Sequence, residues 1–166
     1  MPACELQMRR AHDLHVLIML LCCGICTPRL SAPRVTTGKD LDDTNFDKEV
    51  LRDDQVWLVE IGSKMCGSCK QFEPTWQEVK ERMKRINTGQ VNIDEPNGMK
   101  IAQKLGALEK GIPHVMLFHL GGVSKGKTLL AGEIKAAKFI QTAVRDMLTE
   151  HHIDEDGIYV KLNGEL

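Results

Sequence analysis

Two rhythms of apolar and polar residues run along this chain, and the change from one to the other marks its most informative stretch. Val56-Trp57-Leu58-Val59-Glu60-Ile61 is a nearly unbroken apolar run rich in β-branched residues. Such a run predicts a strand covered on both faces. Beyond it, Phe72, Trp76, Val79, Met83 and Ile86 recur at steps of four, three, four and three, the stripe of an amphipathic helix. Between strand and helix stands Cys66-Gly67-Ser68-Cys69.

The same reading orders the rest of the chain. Val35-Thr36-Thr37 reads as a first edge strand, and Asp42, Asp43 and Thr44 offer capping groups before a short helix carrying Phe46, Val50 and Leu51. Asp53-Asp54 ends that helix. Residues 90–94 alternate as a strand does, and Met99, Ile101, Ala102 and Leu105 predict a helix closed by Gly106. A loop over residues 107–111 leads to Ile112-Pro113-His114 and to a buried strand over residues 115–118. Leu120-Gly121-Gly122 turns that strand into a hairpin with residues 127–130, which Gly132 ends. Ala136, Phe139, Ile140, Ala143, Met147 and Leu148 form the apolar face of a closing helix. Residues 151–166 follow as an extension with a candidate short strand, Ile158-Tyr159-Val160. Strands alternating with helices predict an α/β domain.

The N-terminus breaks the pattern. Arg9 and Arg10 precede a continuous apolar run over residues 14–26, the layout of a secretory signal. The run is shorter than the roughly 20 residues that span a bilayer. Pro33 directly after Ala32 disfavours cleavage at that bond, so a signal anchor left in place is the alternative. The expected organisation is a signal peptide or anchor over residues 1–32, one domain over residues 33–150 and the extension over residues 151–166. Membrane attachment is expected only if the first segment stays uncleaved, and the address is the secretory pathway. The 166 residues provide for one domain with a full core, and a formal net charge of −1 gives no reason to expect nucleic acid as a partner. Four of the six cysteines, Cys4, Cys22, Cys23 and Cys26, lie in the first segment. Without it only Cys66 and Cys69 remain, which excludes a structural disulfide framework.

At a helix start, unpaired N–H groups and the positive end of the helix dipole stabilise a thiolate. Cys66 is placed there, and Cys69 one turn further in. A lowered thiol pKa at an exposed site is what disulfide exchange needs. Glu60 lies six positions before Cys66 with apolar residues on both sides. Buried there, its carboxyl has a raised pKa. Pro74 inside the helix predicts a kink and no chemistry.

These pieces resemble the thioredoxin superfamily over about residues 35–148. The resemblance is carried by Leu58-Val59-Glu60, Cys66-Gly67-Ser68-Cys69-Lys70, Pro74, Val91-Asn92-Ile93-Asp94 and Gly111-Ile112-Pro113. It implies a thioredoxin fold, a central mixed β-sheet flanked by helices, and dithiol–disulfide exchange with no cofactor and no metal. Cys66, Cys69 and Glu60 are then the catalytic set, with the Glu60 carboxylate buried under the site and relaying a proton to or from the inner cysteine. Met65, Gly67, Ser68, Ile112 and Pro113 are the substrate-contacting set, with the Ile112-Pro113 bond cis and facing the dithiol. In the family the residue before this proline offers backbone hydrogen bonds to an extended peptide. The implied partners are proteins with disulfides or thiols, and an unidentified reductase or oxidase.

Three positions depart from the family. Met65 stands where tryptophan is usual, a flexible apolar contact in place of a rigid one. Ser68 replaces the proline of thioredoxins or the histidine of isomerases, adding a hydroxyl near the sulfurs. Gly132-Glu133 stands where isomerase domains often have Gly-Arg. A competing reading is a non-catalytic thioredoxin-fold chaperone or scaffold that binds extended peptides. Another is a zinc site in which two of His114, His151 and His152 join the cysteines. Lone histidines such as His114 and His119 are more often packing or surface residues, and both stay outside the catalytic set.

Overall fold

The computed structural model describes residues 35–53, 55–118, 126–149, 151–153 and 157–161. The expected signal segment, the 120–122 turn and His119 lie outside the described residues. The elements are β1 (Lys39–Asp40), α1 (Asp47–Leu51), β2 (Trp57–Gly62), α2 (Gly67–Arg82), β3 (Asn87–Asn92), α3 (Pro96–Lys104), α4 (Ala107–Lys110), β4 (His114–Phe118), β5 (Lys127–Ala131), α5 (Ala137–Met147), β6 (His151–Ile153) and β7 (Tyr159–Lys161).

β2 is the centre, and its sequence explains why. All six of its residues are buried. Side chains alternate across a strand, so Trp57, Val59 and Ile61 enter one core with Phe46, Val91, Ile101 and Met116. Val56 and Leu58 enter the other with Phe72, Trp76 and Val79 of α2 and Ile140 and Val144 of α5. Each large apolar side chain buried this way stabilises by about 1.5–3 kcal/mol. Glu60 therefore falls on the α2 side of the strand. The sheet order is β1-β3-β2-β4-β5. β3 runs parallel to both β1 and β2, while β4 is antiparallel to β2 and β5 antiparallel to β4. The expected mixed sheet with flanking helices is the observed fold. β6 and β7 form a separate antiparallel hairpin, tied down where Tyr159 N–H donates to the Arg85 carbonyl at 3.2 Å.

Several boundaries differ from the sequence expectation, each for a physical reason. The edge strand is Lys39–Asp40, not residues 35–37. Thr36 is nonetheless held beside β3, its N–H on Asn87 Oδ1 at 2.7 Å and its carbonyl accepting from Thr88 N–H at 2.8 Å. β3 starts at Asn87 rather than Gln90 because Asn87 and Thr88, polar in sequence, are buried with their side chains hydrogen-bonded. It stops at Asn92, and Ile93 and Asp94 belong to a turn. The loop expected over residues 107–111 contains the one-turn helix α4, seated by buried Ala107. α2 ends at Arg82, yet Ile86 is buried in the same core, because the turn after the helix carries it back. Phe46 and Val50 face the core as expected, but Leu51 is exposed. Phe139 is also exposed, with Lys135 Nζ 5.7 Å from its ring centre. The buried face of α5 is Ala137, Ile140 and Val144, continued by Leu148.

Candidate active site

Cys66 is the N-cap residue of α2, extended at φ −81° and ψ 125°, and its Sγ accepts from Cys69 N–H at 3.3 Å. The helix start thus aims its free N–H groups at this sulfur. The loop before it is fixed from a distance. Asp94 accepts from Ser63 Oγ at 2.6 Å and from Lys64 N–H at 2.7 Å, and Ser63 Oγ accepts from Met65 N–H at 3.0 Å.

Both cysteines are free thiols, Cys66 half-buried and Cys69 buried. Their surroundings drive them apart. Cys66 is pulled below the ordinary thiol range by hydrogen bonding from Cys69 and then from Ser68. Cys69 is pushed up to about 12 by burial and then by its contact with Cys66. Near neutral pH the reactive thiolate therefore belongs to Cys66.

Glu60 is 9% exposed and lies behind the pair. Burial raises its carboxyl to about 7, against the opposing pull of Gln90 and Lys80. Gly62, two residues along the same face, makes room for it. A Cβ there would collide with Glu60 Oε1 and would sit 3.5 Å from Cys69 Sγ. Carboxyl and inner thiol therefore border one small volume. A cleft lined by Glu60, Cys69, Glu73, Gln77 and Gln90 opens that region toward solvent.

On the front, the Ile112-Pro113 bond is cis, Pro113 is buried and Ile112 half-buried. The Ser68 hydroxyl lies 3.0 Å from Cys66 Sγ and donates to the Ile112 carbonyl at 3.3 Å. Met65 is 82% exposed and Gly67 is exposed. The structure thus gathers Cys66, Cys69, Glu60, Ser68 and Ile112-Pro113 at one end of β2 and β4. His114 points elsewhere. It is fully buried, with Nε2 3.1 Å from Thr128 Oγ1, and burial pushes its pKa down. Among the described residues no three His, Cys, Asp or Glu side chains group closely enough to hold a metal ion.

The sequence alone gives no role to Asp94, Ser63, Gln90 or Gly62. Asp94 ends the Val91-Asn92-Ile93-Asp94 segment, but its partners are about thirty residues away and only the fold joins them.

The thioredoxin family profile matches residues 38–145. The chain belongs to the thioredoxin family. Thioredoxin of Buchnera aphidicola subsp. Schizaphis graminum is 32% identical over 114 residues, covering 68% of this chain and 94% of that protein. Protein disulfide-isomerase A6 of Mus musculus is 34% identical over 85 residues, 49% of this chain. The match spans 19% of that isomerase's length. The crystal structure of the Trx4 domain of ERdj5 superposes with a TM-score of 0.57 at 24% identity, covering 69% of this chain and 97% of that one. That likeness shows the shared fold. The Cys-x-x-Cys pair on this fold supports thiol–disulfide oxidoreductase chemistry in the broad sense.

Proposed function

We propose that the chain exchanges disulfides with protein substrates. Cys66 thiolate attacks a substrate disulfide, forming a Cys66–substrate bond and releasing one substrate sulfur as a thiolate. Cys69 then gives its proton to Glu60 and attacks Cys66 Sγ. The Cys66–Cys69 disulfide forms and the second substrate thiolate leaves, so two electrons have passed from the dithiol to the substrate. Run backwards, the same steps oxidise a substrate dithiol. The observation that carries this reading is the placement of the two free thiols, Cys66 as the N-cap of α2 with its Sγ accepting from Cys69 N–H and Cys69 buried one turn further in. The Ile112 carbonyl, joined to Cys66 through the Ser68 hydroxyl, supports an extended polypeptide as the substrate. Ile112, Pro113, Met65, Gly67 and Ser68 form its contact surface. A reductase or oxidase partner completes the cycle. The basic and then apolar N-terminal stretch supports an address in the secretory pathway. Insulin reduction tests the reading: the parent is expected to precipitate the freed insulin B chain, and Cys66→Ser is expected to be inactive. Equal rates for the two would overturn it.

A further inference from the structure

We propose that the Ser68 hydroxyl is a shared hydrogen-bond donor that switches between the Ile112 carbonyl and the Cys66 sulfur, coupling nucleophile activation to capture of a substrate backbone. The capture half rests on the protein-substrate reading above.

A hydroxyl has one proton to donate. Ser68 Oγ has two neighbours within reach, Cys66 Sγ at 3.0 Å and the Ile112 carbonyl at 3.3 Å. The carbonyl can only accept, so the contact to Ile112 uses the serine proton. While that holds, the contact to Cys66 uses the thiol proton, with S–H donating to Oγ. Loss of the Cys66 proton to solvent reverses the pattern. The sulfur becomes an anionic acceptor, stronger than a neutral carbonyl, and the serine O–H turns to it. The half-buried Ile112 carbonyl is then left without its donor, and an acceptor in that position requires a new one. Ser68 Oγ lies against both this carbonyl and Cys66 Sγ, so the N–H of an extended peptide reacting at the dithiol fits it. Linkage makes the coupling reciprocal: a peptide N–H on Ile112 frees the serine proton for Cys66 and favours the thiolate. The proline of thioredoxins at this position has no donor, so the device belongs to the serine.

The chain provides its own reporter, because Ile112-Pro113 is its one Ile-Pro bond. Isotopic labels on isoleucine carbonyl carbon and proline nitrogen give a single coupled signal for the Ile112 carbonyl. The reduced protein is titrated between about pH 5 and about pH 9 while ultraviolet absorbance follows the Cys66 thiolate. The titrating groups around Cys66 are Cys69, held near 12, Glu60 behind it, near 7, and His114 on β4, buried and shifted down. Lys64 and Lys70 flank the motif. Repeating the titration in Glu60→Gln separates the Glu60 contribution.

In the parent the Ile112 carbonyl signal is expected to move with the thiolate absorbance. In Ser68→Ala it is expected to stay flat, and Cys66 to titrate about one pH unit higher, a tenfold loss of thiolate at fixed pH. Ser68→Thr should restore both. A short extended peptide with serine in place of its cysteine should lower the Cys66 pKa in the parent but not in Ser68→Ala. N-methylation of the peptide amide that meets Ile112 should abolish that effect. A flat carbonyl in the parent, or the same titration in Ser68→Ala, overturns the switch. A carbonyl that follows the thiolate while no peptide binds upholds the switch, and overturns both the capture half and the protein-substrate reading.

Discussion

The two cysteines sit one helical turn apart on one element, yet they face different worlds. The front, around Cys66, is open and rich in donors: the Cys69 N–H, the Ser68 hydroxyl and the start of α2 all favour charge on the sulfur. The back, around Cys69, is a sheet face where burial suppresses charge on the thiol and on Glu60 alike. Nucleophile and resolving thiol are thus assigned by position along the helix, not by residue type. The largest expected effect follows directly. Cys69→Ser keeps the front intact and should trap a stable mixed disulfide with substrate, visible by mass spectrometry. Cys66→Ser should form none. A trap through Cys69 in the latter would reverse the assignment.

The asymmetry also has a quantitative reading. Cys69 stands near 12 and Cys66 below the ordinary value of 9.0. Near neutral pH the thiolate is therefore held by Cys66 and the proton by Cys69. Alkylation at limiting reagent, followed by peptide mapping, should label Cys66 almost alone. Comparable labelling of Cys69 would mean that burial does not hold its thiol protonated.

The front and the centre of the fold were legible in the sequence, because burial on both faces of β2 is written as an unbroken apolar run and the helical stripe of α2 follows the motif. Glu60 was legible for the same reason, as the one charge inside that run. What stayed hidden was polar and long-range. Asn87 and Thr88 look like loop residues, and only their hydrogen bonds to residues 36, 38 and 55 make them strand. Asp94 reads as a turn aspartate until the fold sets it against Ser63 and Lys64. Phe139 fits a helical stripe by spacing but falls beside the buried face, which only the packing partner of α5 determines.

The back of the site makes the next prediction. The Glu60 carboxyl titrates at about 7 when folded against 4.5 ordinarily, so between those values the folded chain holds more protons than the unfolded one. Stability must then fall as pH rises through that window, by on the order of 3 kcal/mol from this group. His114 acts in the opposite sense, because its lowered pKa makes stability rise as pH approaches 6.5. The difference between parent and Glu60→Gln cancels His114 and isolates Glu60. Urea unfolding across the window should show Glu60→Gln gaining on the parent as pH increases. The same variant should slow resolution of the mixed disulfide, since Cys69 loses its proton acceptor. Parallel stability curves would place Glu60 in water.

The smallest expected effect tests the geometry behind that carboxyl. Gly62 leaves open the volume that Glu60 Oε1 enters, 3.5 Å from Cys69 Sγ measured at the position of a Cβ. Gly62→Ala should force the carboxyl aside and cost about 1–3 kcal/mol, as overpacking does. Shortening Glu60 removes the colliding atom, so Glu60→Ala should absorb most of that cost. The two changes are therefore expected to be non-additive in a double-mutant cycle, with a coupling of about 0.5–3 kcal/mol. Measured by thermal or urea unfolding, strict additivity would mean that Glu60 does not fold back over Gly62. It would then have no path to the Cys69 proton, and the back of the site would be a buried wall with no part in resolution.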